Sequence, residues 1–104
     1  MSSPNTRLVL SAEADDDLAD LLNQSVMRWG EEQARRYAQA IERAFALLSN
    51  NPNLGRLRAD LQPDLRSYPV QRHIIVYPLR DDTLIVMRIL HGRMDITRAL
   101  REMP

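Results

Sequence analysis

Cysteine and lysine are both missing from these 104 residues, and only three glycines and five aromatic side chains are present. Without cysteine there are no disulfides, no thiolate nucleophile and no thiolate metal ligand. Without lysine there is no Schiff base and no phosphate-binding P-loop. The three glycines, Gly30, Gly55 and Gly92, are too scattered to build a loop that cradles phosphate. Long apolar runs are lacking as well: none approaches the roughly 18 residues of a membrane span, and the polar N-terminus has no signal-peptide pattern. A cytoplasmic protein without membrane contact is therefore expected.

The fourteen basic residues are all arginine and are balanced by fourteen acidic ones, giving a formal net charge of zero. An all-arginine set reflects either genomic codon bias or a use for the guanidinium fork on carboxylate and phosphate. Zero net charge speaks against a protein that coats nucleic acid by charge, because such binding rests on many released counterions. No direct nucleic-acid binding by the chain alone is expected. One domain spanning 1–104 is predicted, long enough to bury roughly two thirds of its unfolded surface.

The organising stretch is Leu84-Ile85-Val86-Met87-Arg88-Ile89-Leu90-His91, apolar at all but Arg88 and His91. Its length and β-branching predict a central strand. Simple alternation puts Leu84, Val86, Arg88 and Leu90 on one face and Ile85, Met87, Ile89 and His91 on the other. A buried unpaired guanidinium costs several kcal/mol, so Arg88 has an acidic partner or lines a groove open to water.

Upstream, residues 1–5 read as frayed and Thr6–Leu10 as a short first strand. Ser11 caps a helix whose first turns carry Glu13, Asp15, Asp16 and Asp17. Leu18, Leu21, Leu22, Val26 and Trp29 form its buried stripe, and Gly30 ends it. Glu31 and Glu32 open a second helix, with Ala34, Tyr37, Ala38, Ile41, Phe45 and Leu48 as its apolar face and Asn50-Asn51-Pro52 as its stop. Two such helices joined by one or two residues fold back as an αα-hairpin.

Asn51–Asp64 reads as loop. Leu65–Val70 reads as an edge strand because Pro69 has no N–H to donate. His73–Tyr77 follows as a strand stopped by Pro78, Arg80–Thr83 as a turn, and Asp95–Arg101 as a last helical turn or two. The order β-α-α-β-β-β predicts an α+β fold: a twisted, mainly antiparallel sheet with the helical hairpin packed on one face. The opposite face is expected to stay partly bare, carrying Arg88 or else His73 and Tyr77.

No metal site is predicted. Asp15, Asp16, Asp17 and Asp20 are accounted for by the helix dipole and solvation, with no chelating loop around them. Metal-free RNA cleavage needs a general base, a general acid and a cation, for which His73, Tyr77, Arg72, Arg88, His91 and Arg93 are the raw material. The plainer reading is that the aromatic groups pack beneath a partner and the arginines meet acidic side chains.

Trp29-Gly30, Gln33-Ala34, Tyr37, Asn51-Pro52 with Gly55-Arg56, Leu65-Arg66, the His73 strand ending in Tyr77, and Arg88-Ile89-Leu90-His91 with Arg93-Met94-Asp95 occur in this order over nearly the whole chain. Taken together they resemble the ParE toxins of the RelE/ParE superfamily, the toxic half of type II toxin–antitoxin modules. The resemblance implies a protein that poisons DNA gyrase by binding, with no catalytic residues and no cofactor, held silent by a ParD-like antitoxin in a hetero-oligomeric complex. In the mRNA-cutting RelE-like relatives a basic residue opens the strand segment that here begins at Ile74. A ribosome-dependent mRNA endonuclease is therefore the alternative, and a non-toxic antitoxin-binding module a second one.

Within that frame the candidates for target binding and toxicity are Arg88, His91, Arg93, Met94, Asp95 and Arg98. Those for antitoxin binding are Arg56, Arg66, Tyr68, Arg72, His73 and Tyr77. Because the tail offers few apolar residues, a chain cut after Gly92 is expected to fold and bind antitoxin without being toxic.

Overall fold

The computed structural model describes residues 6–92 and 96–102. The elements are β1 (Arg7–Leu10), α1 (Ala12–Trp29), α2 (Glu31–Asn50), β2 (Arg56–Leu57), β3 (Leu65–Val70), β4 (His73–Arg80), β5 (Thr83–Val86), β6 (Arg88–His91) and α3 (Ile96–Arg101). This is the expected α+β architecture with a mainly antiparallel sheet and the expected last helical turns as α3, extended by the short β2 and with the last strand divided. The spatial order is β1-β5-β4-β3-β2, with β6 also on β4, and β1 runs parallel to β5.

Local chemistry sets the helices. Ser11 Oγ accepts from the Ala14 N–H at 3.0 Å, satisfying one orphan donor of α1. Gly30 alone joins α1 to α2 with φ +90°, a left-handed geometry suited to glycine, and its N–H closes α1 onto the Val26 carbonyl at 2.9 Å. The hairpin buries Ala14, Leu21, Ile41, Ala44 and Leu48 against Val70, Ile75, Tyr77, Leu84, Val86 and Ile89 of the sheet.

The predicted strand 84–91 is interrupted at Met87. Thr83 and Leu84 pair with Arg80 and Leu79, a register that would set Met87 opposite Val76, yet Arg88 stands there. One extra residue has entered, a β-bulge. Alternation therefore slips: Leu84 and Val86 share the helix-side core with Ile89, whereas Leu90 and Met87 belong to a second cluster on the other face. The bulge is tied to the start of α1, where Ser11 donates from its N–H to the Val86 carbonyl at 2.9 Å and from Oγ to the Met87 carbonyl at 2.7 Å.

Pro78 does not stop β4, which runs on to Arg80. Alternate residues turn their backbone groups to the same edge, so Pro78, like Val76, faces β5 and β6. There the bulge has already broken the ladder, and a missing N–H is tolerated. Pro69 lies beyond β2, on the free edge of β3 as predicted.

The second face is not left bare as expected. Leu65, Val76, Leu90 and Ala99 form a core there, joined by Leu61, Ile74, Met87, Ile96 and Leu100. α3 thus seals the face, and cutting the chain after Gly92 would uncover it, so the expectation of a folded truncated protein gives way. His73 and Tyr77 lie on the hairpin side instead.

Arg88 has its acidic partner. Its Nε and Nη2 reach both Asp17 carboxylate oxygens at 2.7 and 2.9 Å, and the Ile89 N–H donates to the same carboxylate at 2.9 Å. Asp17, read as a dipole and solvation residue, is therefore a tertiary ligand for the edge of β6. Both side chains are less than one fifth exposed. Arg88→Met and Asp17→Asn are each expected to cost about 3 kcal/mol, because one buried charge is left uncompensated. Urea denaturation of both single variants and the Asp17→Asn/Arg88→Met pair checks this, with the double variant losing less than the two together. Single losses below about 0.5 kcal/mol would mark a solvent-screened pair instead.

Candidate functional site

The β3–β4 turn, with Gln71 at φ +54°, projects beside the α1–α2 corner. At eighteen residues α1 is about 27 Å long at 1.5 Å per residue and overruns the sheet. Its last turn therefore leaves Val26 and Trp29 exposed, at 41% and 47%, instead of buried on the predicted stripe. The Arg72 guanidinium lies 5.0 Å from the Trp29 ring centre, a cation–π contact that holds the charge in place at a cost of little freedom.

Beneath it, Tyr37 reaches up from α2. Its hydroxyl contacts the Val70 carbonyl at 3.3 Å, the Arg72 N–H at 3.2 Å and His73 Nδ1 at 2.5 Å. A carbonyl only accepts and an N–H only donates, so all three bonds form together only when His73 carries its proton on Nδ1. Nε2 is then the basic nitrogen of His73. Burial pushes the His73 pKa below its ordinary value, with His91 adding to the shift and Asp17 opposing it. Burial raises that of Tyr37, so the phenol stays protonated.

His73 pairs directly with His91 across β4 and β6, and the rings meet edge to face at 5.4 Å. Arg28, Arg72, His91 and Gly92 line an open depression on one side, and Trp29, Gln33, Tyr37, Gln71 and Arg72 line another. Arg72 is common to both, and no carboxylate occurs among these residues. The cluster offers cations, an aromatic face and imidazoles, a combination suited to acidic or aromatic groups of a partner.

The antitoxin candidates fall into two groups. Arg72 and His73 sit at the turn end of the β3–β4 hairpin with Trp29 and Tyr37. Arg56 and Arg66 sit toward the other end, across β2 and β3, with the half-buried Tyr68 between the groups. Arg66 is committed to the adjacent loop, donating to the carbonyls of Asn53 and Gly55 at 3.1 and 2.8 Å. Tyr77 is wholly buried, so in this conformation it offers a partner no surface. Its hydroxyl donates to the Pro52 carbonyl at 2.8 Å and accepts from the Gly55 N–H at 2.9 Å. A Cβ at Gly55 would stand 2.5 Å from that hydroxyl, so only glycine fits.

Of the toxicity candidates, Arg88 is held internally by Asp17. His91 is exposed, and Arg98 is exposed on α3 with an ion pair to Glu102 at 3.3 Å. Arg93, Met94 and Asp95 lie outside the described residues. Trp29 and Tyr37 were missed as site residues because helical periodicity assigned them to the core. The available signal was a large aromatic immediately before the corner glycine and a tyrosine hydroxyl that needs a partner if buried. Among the described residues, no group of three or more His, Asp or Glu is placed to hold a metal. No helix among them is long and apolar enough to cross a membrane.

The family model described as "ParE toxin of type II toxin-antitoxin system, parDE" matches residues 8–96. Toxin ParE1 of Mycobacterium tuberculosis (strain H37Rv) is 31% identical over 97 residues, covering 92% of this chain and 99% of the relative. Toxin ParE of Escherichia coli is 31% identical over 98 residues, covering 93% and 95%. In three dimensions the chain is similar to a chain of the chromosomal ParDE TA system from P. aeruginosa, with a TM-score of 0.73 and 21% identity, covering 86% of this chain and 98% of that one.

Because the folded state holds His73 below its ordinary pKa, the unfolded chain takes up its proton first as pH falls. The stability present above about pH 6.5 is then lost as acidification proceeds through the folded pKa. Urea midpoints at pH 7.5 and 5.5 are expected to fall for the native chain and to fall less for His73→Gln. Equal losses in both would show that His73 is not the titrating group.

Proposed function

The chain belongs to the ParE toxin family of type II toxin–antitoxin systems, a family of toxins and not of enzymes, and on that premise we propose that it inhibits DNA gyrase by binding and is neutralised by a ParD-like antitoxin. The observation that carries this reading is the extent of the match, which runs from β1 to the start of α3 and takes in nearly the whole length of full-size toxin relatives. The likeness in fold to a chain of a ParDE system accords with it.

The antitoxin's most suitable anchor is the turn end of β3–β4. A carboxylate from the antitoxin meets Arg72, already oriented on Trp29, and an apolar side chain of the same segment covers the indole. Toxicity is assigned to the end of β6 and the tail, through His91, Arg93, Met94, Asp95 and Arg98, with Arg88 acting through the edge it holds. One observation favours the RNA-cleaving alternative: Tyr37, His73, His91 and Arg72 gather an acid, bases and a cation in one place.

Expression of the chain alone is expected to stop DNA synthesis and induce the DNA-damage response before protein synthesis falls. Codon-positioned mRNA cuts on translating ribosomes, abolished by His73→Ala, would replace gyrase with the ribosome as target. Separately, Arg72→Glu is expected to weaken antitoxin binding by roughly tenfold to a hundredfold while α-helical content stays native. Unchanged affinity would move the antitoxin surface elsewhere.

A further inference from the structure

We propose that His73 and His91 form a two-imidazole clamp for a divalent transition-metal ion such as Zn²⁺ at the end of the β4–β6 ladder. Directly opposed residues of an antiparallel pair project to the same face with Cβ atoms about 5 Å apart. Two imidazoles bound to one tetrahedral Zn²⁺ at about 2.0–2.1 Å place their ring centres roughly 5 Å apart. The observed separation is 5.4 Å with the rings edge to face, so the backbone already sets the ring centres as far apart as a shared ion requires, and side-chain rotation alone is left to aim the nitrogens.

The hydroxyl of Tyr37 completes the device. With the Nδ1 proton of His73 donated to Tyr37, the basic Nε2 is left for a metal, and the outer hydrogen bond fixes tautomer and ring orientation as metal-bound histidines require. His91 is exposed and already in edge contact with the His73 ring, so solvent and an ion reach it without opening the core. Its two nitrogens allow one to ligate while the other keeps a different contact.

Arg28 and Arg72 line the neighbouring depression and oppose a dication, whereas Asp17 acts on His73 in the favourable direction. With two protein ligands and cations nearby, the clamp is an exchangeable site and not a structural one. Its remaining positions are filled by water or by a side chain of a bound protein. Imidazole ligands and the general affinity order make Cu²⁺ bind more tightly than Zn²⁺.

The test is calorimetric titration of ZnCl₂ into the full chain prepared without a polyhistidine tag, at pH 7.5, with melting followed in parallel. One-to-one binding is expected. Zn²⁺ at about a hundred times its dissociation constant should raise the melting temperature by roughly 10 °C. His91→Gln, at an exposed position, should weaken binding at least tenfold and abolish the melting shift, read against that variant's own metal-free melting temperature. His73→Gln should do the same, and if that half-buried position fails to fold, His91→Gln decides alone. Absence of one-to-one binding in the native chain, or equal Zn²⁺ affinity in native and His91→Gln protein, overturns the proposal.

Discussion

Among the described residues, the carboxylate of Asp17 closes a stretch of the central ladder that has no strand beside it. β1 pairs with β5 but not with β6, so the outer edge of β6 would face α1 with open backbone donors. Asp17 accepts the Ile89 N–H and both arms of Arg88 together. Three donors converge on one anion, and the arrangement fixes the distance of α1 from the sheet. Everything past the bulge depends on it: the register of β6 against β4, the pairing of His91 with His73, and the position of Leu90 over the second core. A charged group thus does what a neighbouring strand does elsewhere, at the one place where the bulge has bent the strand away.

The single-residue corner at Gly30 has a comparable effect on the surface cluster. With no slack between α1 and α2, Trp29 and Tyr37 are placed by the same rigid hairpin, one beside the β3–β4 turn and one beneath it. Arg72 is accordingly gripped twice, its guanidinium by Trp29 and its backbone by the Tyr37 hydroxyl. An arginine constrained in this way gives up less freedom on meeting a partner than one extended into solvent. That makes this turn a better anchor than Arg66, whose donors are already spent on the Asn53 and Gly55 carbonyls.

Much of the fold was legible because its determinants are local. Ser11 before an acidic turn, Gly30 between two amphipathic stretches, and Pro69 on a free edge each act within a few residues. The features that escaped are those decided by distant chain. Pro78 is a strand stop in isolation and becomes admissible only because a bulge nine residues later breaks the ladder it faces. The bulge itself reversed the inside and outside of Ile89 and Leu90, which period-two reading cannot anticipate. α3 looked too poor in apolar residues to matter, yet Ala99, Ile96 and Leu100 cover a face that only the sheet creates. The site was half visible for the same reason. Arg72, His73 and His91 stood out by chemistry, whereas Trp29 and Tyr37 were hidden by periodicity, which tells which side of a helix is apolar but not where the underlying sheet ends.

The parallel pairing of β1 with β5 sets Leu8 beside Leu84 and Leu10 beside Val86, joining the beginning of the chain to a strand more than seventy residues later. Contacts of such separation form late, because loop closure must precede them. During synthesis the helical hairpin can assemble as soon as it emerges, but it has no sheet to cover and β1 has no partner until β5 has been made. The molecule therefore passes from an open, apolar half-structure to its finished form only after β5 and β6 have been made. A partner that recognises the folded surface cannot meet it before those two strands are in place.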